Sequence, residues 1–334
     1  MEKPEPFSTD PILSGKTADI YFARTQEILK AEGLNPVVTM EVFPNGPGVL
    51  CGMQEVLDLL GAVLQQDAEV WVLQEGEPME AKEVVLRIKA PYQRFGLYET
   101  ALLGILASES GWATAARECV EVAGDVPIIS FGARHVHPDV SARMEYAALV
   151  GGCAGCATPA GAELGHTQAS GTMPHTLILI FGDTVEATLA FDRYMPPDVS
   201  RVALVDTFKD EPEESLRVAE ALGDRLWGVR LDTPPERGRV TPDLVKEVRA
   251  RLDQAGFPHV KIFVSGGIDP ERLRLFAAAG APVDGYGIGS AISGAPPIDF
   301  TADIKAVEGK PLAKRGRIPG ITPNPRLKRV LPSP

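Results

Sequence analysis

Between Trp227 and Gly267 the chain reads WGVRLDTPPERGRVTPDLVKEVRARLDQAGFPHVKIFVSGG, and this stretch contains one full repeat of the fold. A short apolar run, Trp227–Thr233, enters a turn rich in Pro and Gly, and an amphipathic helix then spans Thr241–Gly256. Thr241 suits the N-cap, Pro242 the first helical position and Gly256 the stop, while Leu244, Val248 and Leu252 share one face. A second apolar run, Lys261–Gly267, ends in paired glycines. Strand, helix, strand in that order predicts parallel strands, because the helix carries the chain back to the starting edge.

The same rhythm extends in both directions. Apolar runs ending in small or polar residues recur at Pro127–Gly132, Gly155–Thr158, Ala169–Thr172, Val202–Thr207 and Asp284–Ser290, which makes seven candidate strands. Helical spacing separates some of them: His175–Tyr194 is one apolar helix, and Asp269–Gly280 is another with Leu273, Phe276 and Ala277 inward. The pattern predicts an α/β barrel of the TIM type, one strand short of the usual eight. A doubly wound open sheet is the alternative, but no G-x-G-x-x-G fingerprint follows an early strand.

Before Gly111 the texture differs. A helix is expected at Asp19–Lys30, strands at Val37–Phe43, Val70–Leu73 and Val84–Lys89, and a buried helix at Tyr98–Ala107. The Pro-rich tail from Ile298 lacks the barrel pattern and is expected to return to this first domain. The expected division is 1–112 together with 296–334, and 113–295 as the barrel.

Of the 334 residues 44% are hydrophobic, enough for one large core and a smaller companion. No apolar run approaches the roughly 18 residues of a membrane helix. Met1–Asp10 has Pro and Glu where a signal peptide needs a basic, then an apolar segment. Four cysteines (Cys51, Cys119, Cys153, Cys156) are too few for a disulfide scaffold and suit a reducing, cytoplasmic setting. Cys153-x-x-Cys156 has no second ligand pair, so packing is expected of it rather than zinc or redox chemistry. The net charge of −12 argues against nucleic-acid binding. An anionic small substrate requires only that cations collect in one cleft.

In such a barrel the chemistry sits where strands end. Here the ends read Ser130-Phe131-Gly132-Ala133-Arg134-His135, Ser170-Gly171-Thr172-Met173-Pro174-His175, Val205-Asp206-Thr207, Arg230-Leu231-Asp232, Ser265-Gly266-Gly267 and Gly287-Ile288-Gly289-Ser290. The last two suit a phosphate, since glycines expose backbone N–H groups and a following helix adds a positive N-terminus. Either alone is equally a tight turn; after consecutive strands the pair indicates phosphate. Arg230 and Asp232 project to one side of an extended segment, which fits a guanidinium on phosphate and a carboxylate on a sugar diol. Asp206 is a candidate Mg²⁺ ligand, or an ion-pair partner of Arg230. For His175 three roles compete: helix-start cap, metal ligand, and nucleophile that takes a phosphate.

Taken in order, these motifs resemble those of nicotinate phosphoribosyltransferase, from Asp19-Ile20-Tyr21 near the start to Lys314-Arg315-Gly316-Arg317 in the tail. The resemblance implies an N-terminal open β-sandwich (α+β) domain joined to an irregular seven-stranded (β/α) barrel. It implies homodimers or higher homo-oligomers with shared active sites. The implied reaction transfers the phosphoribosyl group of phosphoribosyl pyrophosphate to nicotinate, with Mg²⁺, and with ATP as co-substrate through phosphorylation of His175. By position, Phe131 would stack on the pyridine and Tyr21 of a partner subunit would close its other face. Arg134 would hold the carboxylate or a phosphate, with Thr158 and Thr172 lining the base pocket. Asp206, Arg230 and Asp232 would hold the sugar and pyrophosphate. Ser265, Gly266, Gly267, Gly287, Gly289 and Ser290 would take the 5′-phosphate, and Lys314 and Arg317 would reach towards phosphates.

One departure is His135, where many members carry a second Arg. The nearest rival is quinolinate phosphoribosyltransferase, whose substrate has a second carboxylate and should demand more cations than Arg134 and its histidine neighbours. A non-catalytic nucleotide-binding relative is the rival from another class.

Overall fold

The structure, a computed structural model, describes residues 10–65 and 67–331. The sequence reading of residues 1–9, and the end of the tail at 332–334, lie outside them. The described residues form two compact units, one running to Thr114 and resuming at Ala295, the other spanning Ala115–Gly294.

The first unit is built on an antiparallel sheet. Its strand order is Lys310–Pro311, Phe300–Val307, Val37–Pro44, Leu86–Pro91, Glu69–Val72, Lys328–Leu331. The tail therefore supplies both edges of this sheet and the neighbour of Val37–Pro44. A buried pair fastens it: Arg87 Nε donates to Glu41 2.8 Å away, while the Thr322 N–H donates to the same carboxylate. The expected sandwich is one six-stranded sheet with a separate two-stranded ribbon. Its apolar face (Met40, Val70, Leu86, Ile88) is covered by helical side chains such as Val56, Leu60, Phe95 and Leu102.

In the second unit six strands pair in parallel, in the order Gly155–Cys156, Ile128–Ser130, Gly285–Ile288, Lys261–Val264, Gly228–Leu231, Val202–Leu204. Ile128, Val202, Leu204, Val229, Leu231, Ile262, Val264 and Ile288 are buried, as strands covered on both faces require. The seventh expected strand, 169–172, forms no ladder. Its one sheet-like bond runs from the Ser170 N–H to the Cys156 carbonyl at 2.7 Å. Gly171 and the N–H-less Pro174 leave this segment little to pair with.

Some helices differ from expectation too. The expected helix His175–Tyr194 is two, His175–Phe181 and Thr184–Tyr194. Gly182 ends the first in a left-handed conformation (φ 77°), and the Asp183 carboxylate caps the second. In Pro242–Gln254 the buried positions are Val245, Val248 and Leu252, with Leu244 only half-buried. Ala277 is exposed, whereas Leu273 and Phe276 are buried. The helix expected at Tyr98–Ala107 runs much further, as Glu99–Ala123. All four cysteines are buried and unpaired, and burial pushes the Cys153 and Cys156 thiols up to about 12 and about 11.

Glu99 lines a cavity of the first unit with Tyr92, Asp303 and Lys314. Burial, reinforced by the Asp303 charge and opposed by Lys314, raises its carboxyl from 4.5 to about 7. A folded pKa above the unfolded one means the native state retains this proton while the unfolded chain releases it, so stability falls as pH climbs from about 4.5 to about 7. Glu99→Gln should flatten the fall, with its melting temperature exceeding that of the parent at pH 8 but not at pH 5. Thermal melts across that range check this; parallel curves would refute it.

Candidate active site

The C-terminal ends of the parallel strands surround a cavity of about 560 Å³. Phe131 and Arg134 enter it from the turn after Ile128–Ser130, and Thr172 and His175 from the irregular segment. Arg230 and Asp232 come from the end of Gly228–Leu231, and the glycine turns Ser265–Gly267 and Gly287–Ser290 complete the lining.

Glycine decides where the aromatic ring can lie. A Cβ on Gly287 would sit 2.3 Å from the Phe131 ring, so the ring rests directly on the backbone of the adjacent strand. The Arg230 guanidinium carbon lies 5.8 Å from that ring's centroid. His135 is wedged in the same way: a Cβ on Gly289 would meet its ring at 2.7 Å, and Ser293 Oγ lies 3.2 Å from its Nδ1. Arg134, by contrast, has no ion-pair partner among the described residues.

The acidic groups are held differently from one another. Asp206 has only 1% of its side chain exposed, and its Oδ2 accepts from His175 Nε2 at 3.0 Å. Burial raises its pKa, the His175 bond pulls it back, and the Asp232 charge adds to the rise. The Asp206–Arg230 ion pair is not the partnership that forms. Arg230 Nη2 donates instead to the Met173 carbonyl at 3.2 Å. Burial lowers the Arg230 pKa, Asp232 and Asp206 oppose that, and Arg134 adds to it. Asp206 Oδ1 and Arg230 Nε are both buried without a hydrogen-bond partner. Asp232 Oδ1 accepts from Ser265 Oγ at 2.7 Å, tying the sugar-clamp candidate to the first glycine turn.

His175 opens a helix but does not cap it, since Pro174 occupies the cap position. Among the described residues no His, Cys or carboxylate trio of metal-ligating geometry includes it; the one such group is Cys51, Glu75 and Glu109 in the first unit.

Five predicted residues are absent from the cavity lining, among them Asp206, which is buried behind His175. Thr158 is committed to Glu145, to which its N–H and hydroxyl both donate, and it caps the helix Pro159–Leu164; Ala157 faces the cavity instead. Tyr21, Lys314 and Arg317 belong to the first unit. Tyr21 is exposed on the helix Ile20–Ala31. Lys314 Nζ and Arg317 Nε lie 3.2 and 2.6 Å from the buried Asp303 carboxylate. Sequence reasoning gave no role to the Met173 carbonyl, Ser293 or Glu145, which orient Arg230, His135 and Thr158. A main-chain acceptor carries no sequence signal, and Glu145 lies in mid-helix, where a solvated face was the natural expectation.

The family described as "Quinolinate phosphoribosyl transferase, N-terminal domain" matches residues 19–110, and its C-terminal domain matches residues 112–303. A solved structure of nicotinate-nucleotide pyrophosphorylase from Pyrococcus furiosus is 43% identical, with a TM-score of 0.87 over 96% of this chain and 82% of that one. Nicotinate phosphoribosyltransferase pncB2 of Mycobacterium tuberculosis is 31% identical over 72% of this chain, which spans about half (52%) of that relative's length. Human nicotinate-nucleotide pyrophosphorylase [carboxylating] is 28% identical over 82% of this chain and 84% of its own. With both domains matched along most of its length, the chain belongs to the quinolinate phosphoribosyl transferase family.

Proposed function

We propose that the chain transfers the phosphoribosyl group of phosphoribosyl pyrophosphate to a pyridine carboxylate, with nicotinate as acceptor, in the synthesis of NAD. The observation that carries this reading is Arg134, a cation without an ion-pair partner among the described residues, lining one cavity with the Phe131 ring. A ring face beside a guanidinium with no ion-pair partner matches a flat acid. The glycine turns opposite match a sugar phosphate.

In the transfer the C1′–O bond to pyrophosphate breaks and the pyridine nitrogen forms the new bond to C1′. Positive charge grows on the sugar and negative charge on the leaving group, so fixed charges and positioning matter more than a strong base. Asp232, pinned by Ser265, is placed to accept from the sugar hydroxyls. Arg230, short of donors' partners in a buried site, is placed to meet the pyrophosphate. The residues also fit a Mg²⁺ ion: Asp206 and Asp232 are near enough for their charges to interact, and Asp206 Oδ1 has no protein donor. Bound there, the ion would neutralise charge on the leaving pyrophosphate.

His175 supports coupling to ATP. Its Nε2 donates to Asp206, which leaves the lone pair of the neutral ring on Nδ1, the nitrogen able to take a phosphoryl group. Incubation with ATP should give an acid-labile phosphate that is absent from His175→Ala, and this variant should keep basal transfer while losing stimulation by ATP. Mass mapping of the phosphate to another residue would remove the role.

A second reading has its own support. The family matches and the likeness to two nicotinate-nucleotide pyrophosphorylases weigh towards quinolinate, with loss of CO₂ after transfer. Arg134 and Arg230 lie near enough to interact, and two guanidinium groups could take two carboxylates. Pyrophosphate and CO₂ release measured in parallel with nicotinate, quinolinate and nicotinamide tests both. Turnover of nicotinate without CO₂ is expected; turnover of quinolinate alone would replace the acceptor, and turnover of none would leave a non-catalytic relative. Arg134→Ala should lose about 1.5–3 kcal/mol of carboxylate binding, roughly tenfold to a hundredfold in kcat/KM, mostly as a raised KM for the acid. An unchanged KM for the acid would take Arg134 out of the site.

A further inference from the structure

The turn Ser265–Gly267 has a side chain lying on it that the motifs do not include. Arg239 stands at the end of the loop after Gly228–Leu231. Its φ is +64°, beside Gly238 at +89°, so two successive left-handed residues bend the chain there. Arginine gains nothing intrinsic from that conformation, since its Cβ crowds the backbone, and such outliers persist only where the surroundings hold them. The bend brings the guanidinium back over the glycine turn. Arg239 Nη1 lies 3.4 Å from the Gly266 carbonyl, and a Cβ built on Gly267 would fall 1.9 Å from that nitrogen. A side chain at Gly267, itself at a left-handed φ of +68°, would have to push this guanidinium aside.

The guanidinium is poorly used within the protein. It carries five donors, and the contact to Gly266 is the one hydrogen bond it makes among the described residues, at the long end of the range. Its neighbours have partners: Arg237 has Glu211 at 3.9 Å, and Arg272 donates to the Val240 carbonyl. Arg239 has no carboxylate partner among the described residues. On the turn's other side stands Asp232, whose Oδ1 would lie 2.9 Å from a Cβ on Gly266. The turn therefore presents backbone N–H groups between a carboxylate suited to sugar hydroxyls and a half-buried cation suited to phosphate.

We propose that Arg239 is a phosphate-binding residue of this turn, reaching the 5′-phosphate or the pyrophosphate of the sugar substrate as a clamp over Gly266 and Gly267. The proposal rests on the phosphoribosyl-transfer reading for the identity of the ligand, not for the anion itself. It is tested by calorimetric titration of the full chain with inorganic phosphate and, separately, with pyrophosphate. Arg239→Gln should weaken binding about tenfold or more, as loss of a charge-assisted contact does. Weakening of phosphate assigns the monophosphate position, and weakening of pyrophosphate alone assigns the leaving group. Arg239→Gly should show the same loss while melting at or above the parent's temperature, because glycine relieves the left-handed backbone; a merely structural arginine would give a lower melting point and unaltered anion binding. In steady-state assays the KM for phosphoribosyl pyrophosphate should rise while that for the pyridine acid stays within about twofold. Equal anion binding by parent and both variants, or no anion binding by the parent, overturns the proposal. Anion binding lost in the variants, with no transfer to any acid by the parent, would sustain Arg239 and sink the transfer reading instead.

Discussion

Taking Asp206 and Arg230 out of water at the ends of neighbouring strands is the constraint to which the rest of the cleft conforms. A buried carboxylate and a buried guanidinium each lose much hydration, and the cheapest remedy would be to pair them. The structure does not do so. Asp206 is given a histidine and Arg230 a backbone carbonyl, and each keeps a buried polar atom unsatisfied. Such an arrangement is unfavourable for the empty protein and favourable for a ligand that brings the missing partners, because a charge already desolvated costs little more to engage. The apolar sheet and its helices supply the rigidity that keeps the two apart.

Space in the cleft is controlled by glycines acting through other residues' side chains. Gly287 makes room for Phe131, Gly289 for His135, Gly266 for Asp232 and Gly267 for Arg239. Each glycine allows a functional side chain from one strand end to lie against the backbone of another. These contacts join the strand ends in two pairs, Ile128–Ser130 with Gly285–Ile288 and Gly228–Leu231 with Lys261–Val264. His135, though a plausible carboxylate ligand by position, is thus a packing element held by Ser293, whereas its neighbour Arg134 has no ion-pair partner among the described residues.

The sequence carried the fold where a single physical rule governed it. The unit from Trp227 to Gly267 is legible because capping, helical spacing and a glycine stop all agree, and the observed helix differs only in turning Val245 rather than Leu244 inward. The segment 169–172 failed because Ala-Ser-Gly-Thr offers no β-branched apolar residue to pack and Gly171 weakens a strand, so it makes a single sheet bond. The apolar run after His175 hid a helix break because one glycine inside helical spacing is tolerated until its φ turns positive. In the site, most residues at strand ends converge because parallel strands end on one side by construction. Thr158 failed because a hydroxyl next to a proline is as good a helix cap as a ligand contact. Arg239 was invisible because its placement depends on two left-handed residues in a loop, which spacing does not reveal.

Charge connects these observations. The chain has 33 basic against 45 acidic residues, so its far field repels anions. The phosphate- and carboxylate-bearing substrates proposed above would therefore be held by local geometry rather than by net attraction. Lys314 and Arg317, basic in the sequence, are already matched by the buried Asp303 within their own unit. Arg134 and Arg239 are not matched by any carboxylate among the described residues, and Arg230 is only partly engaged. These three guanidinium groups come from two strand ends of the second unit, Arg134 after Ile128–Ser130 and the other two from Gly228–Leu231 and the loop that follows it. In a partly desolvated cleft each counts for more than an exposed lysine would, since water screens it less. On the transfer reading proposed above, recognition of a phosphorylated sugar and a flat acid would follow from where the acidic partners are missing, in a chain that elsewhere has acid to spare.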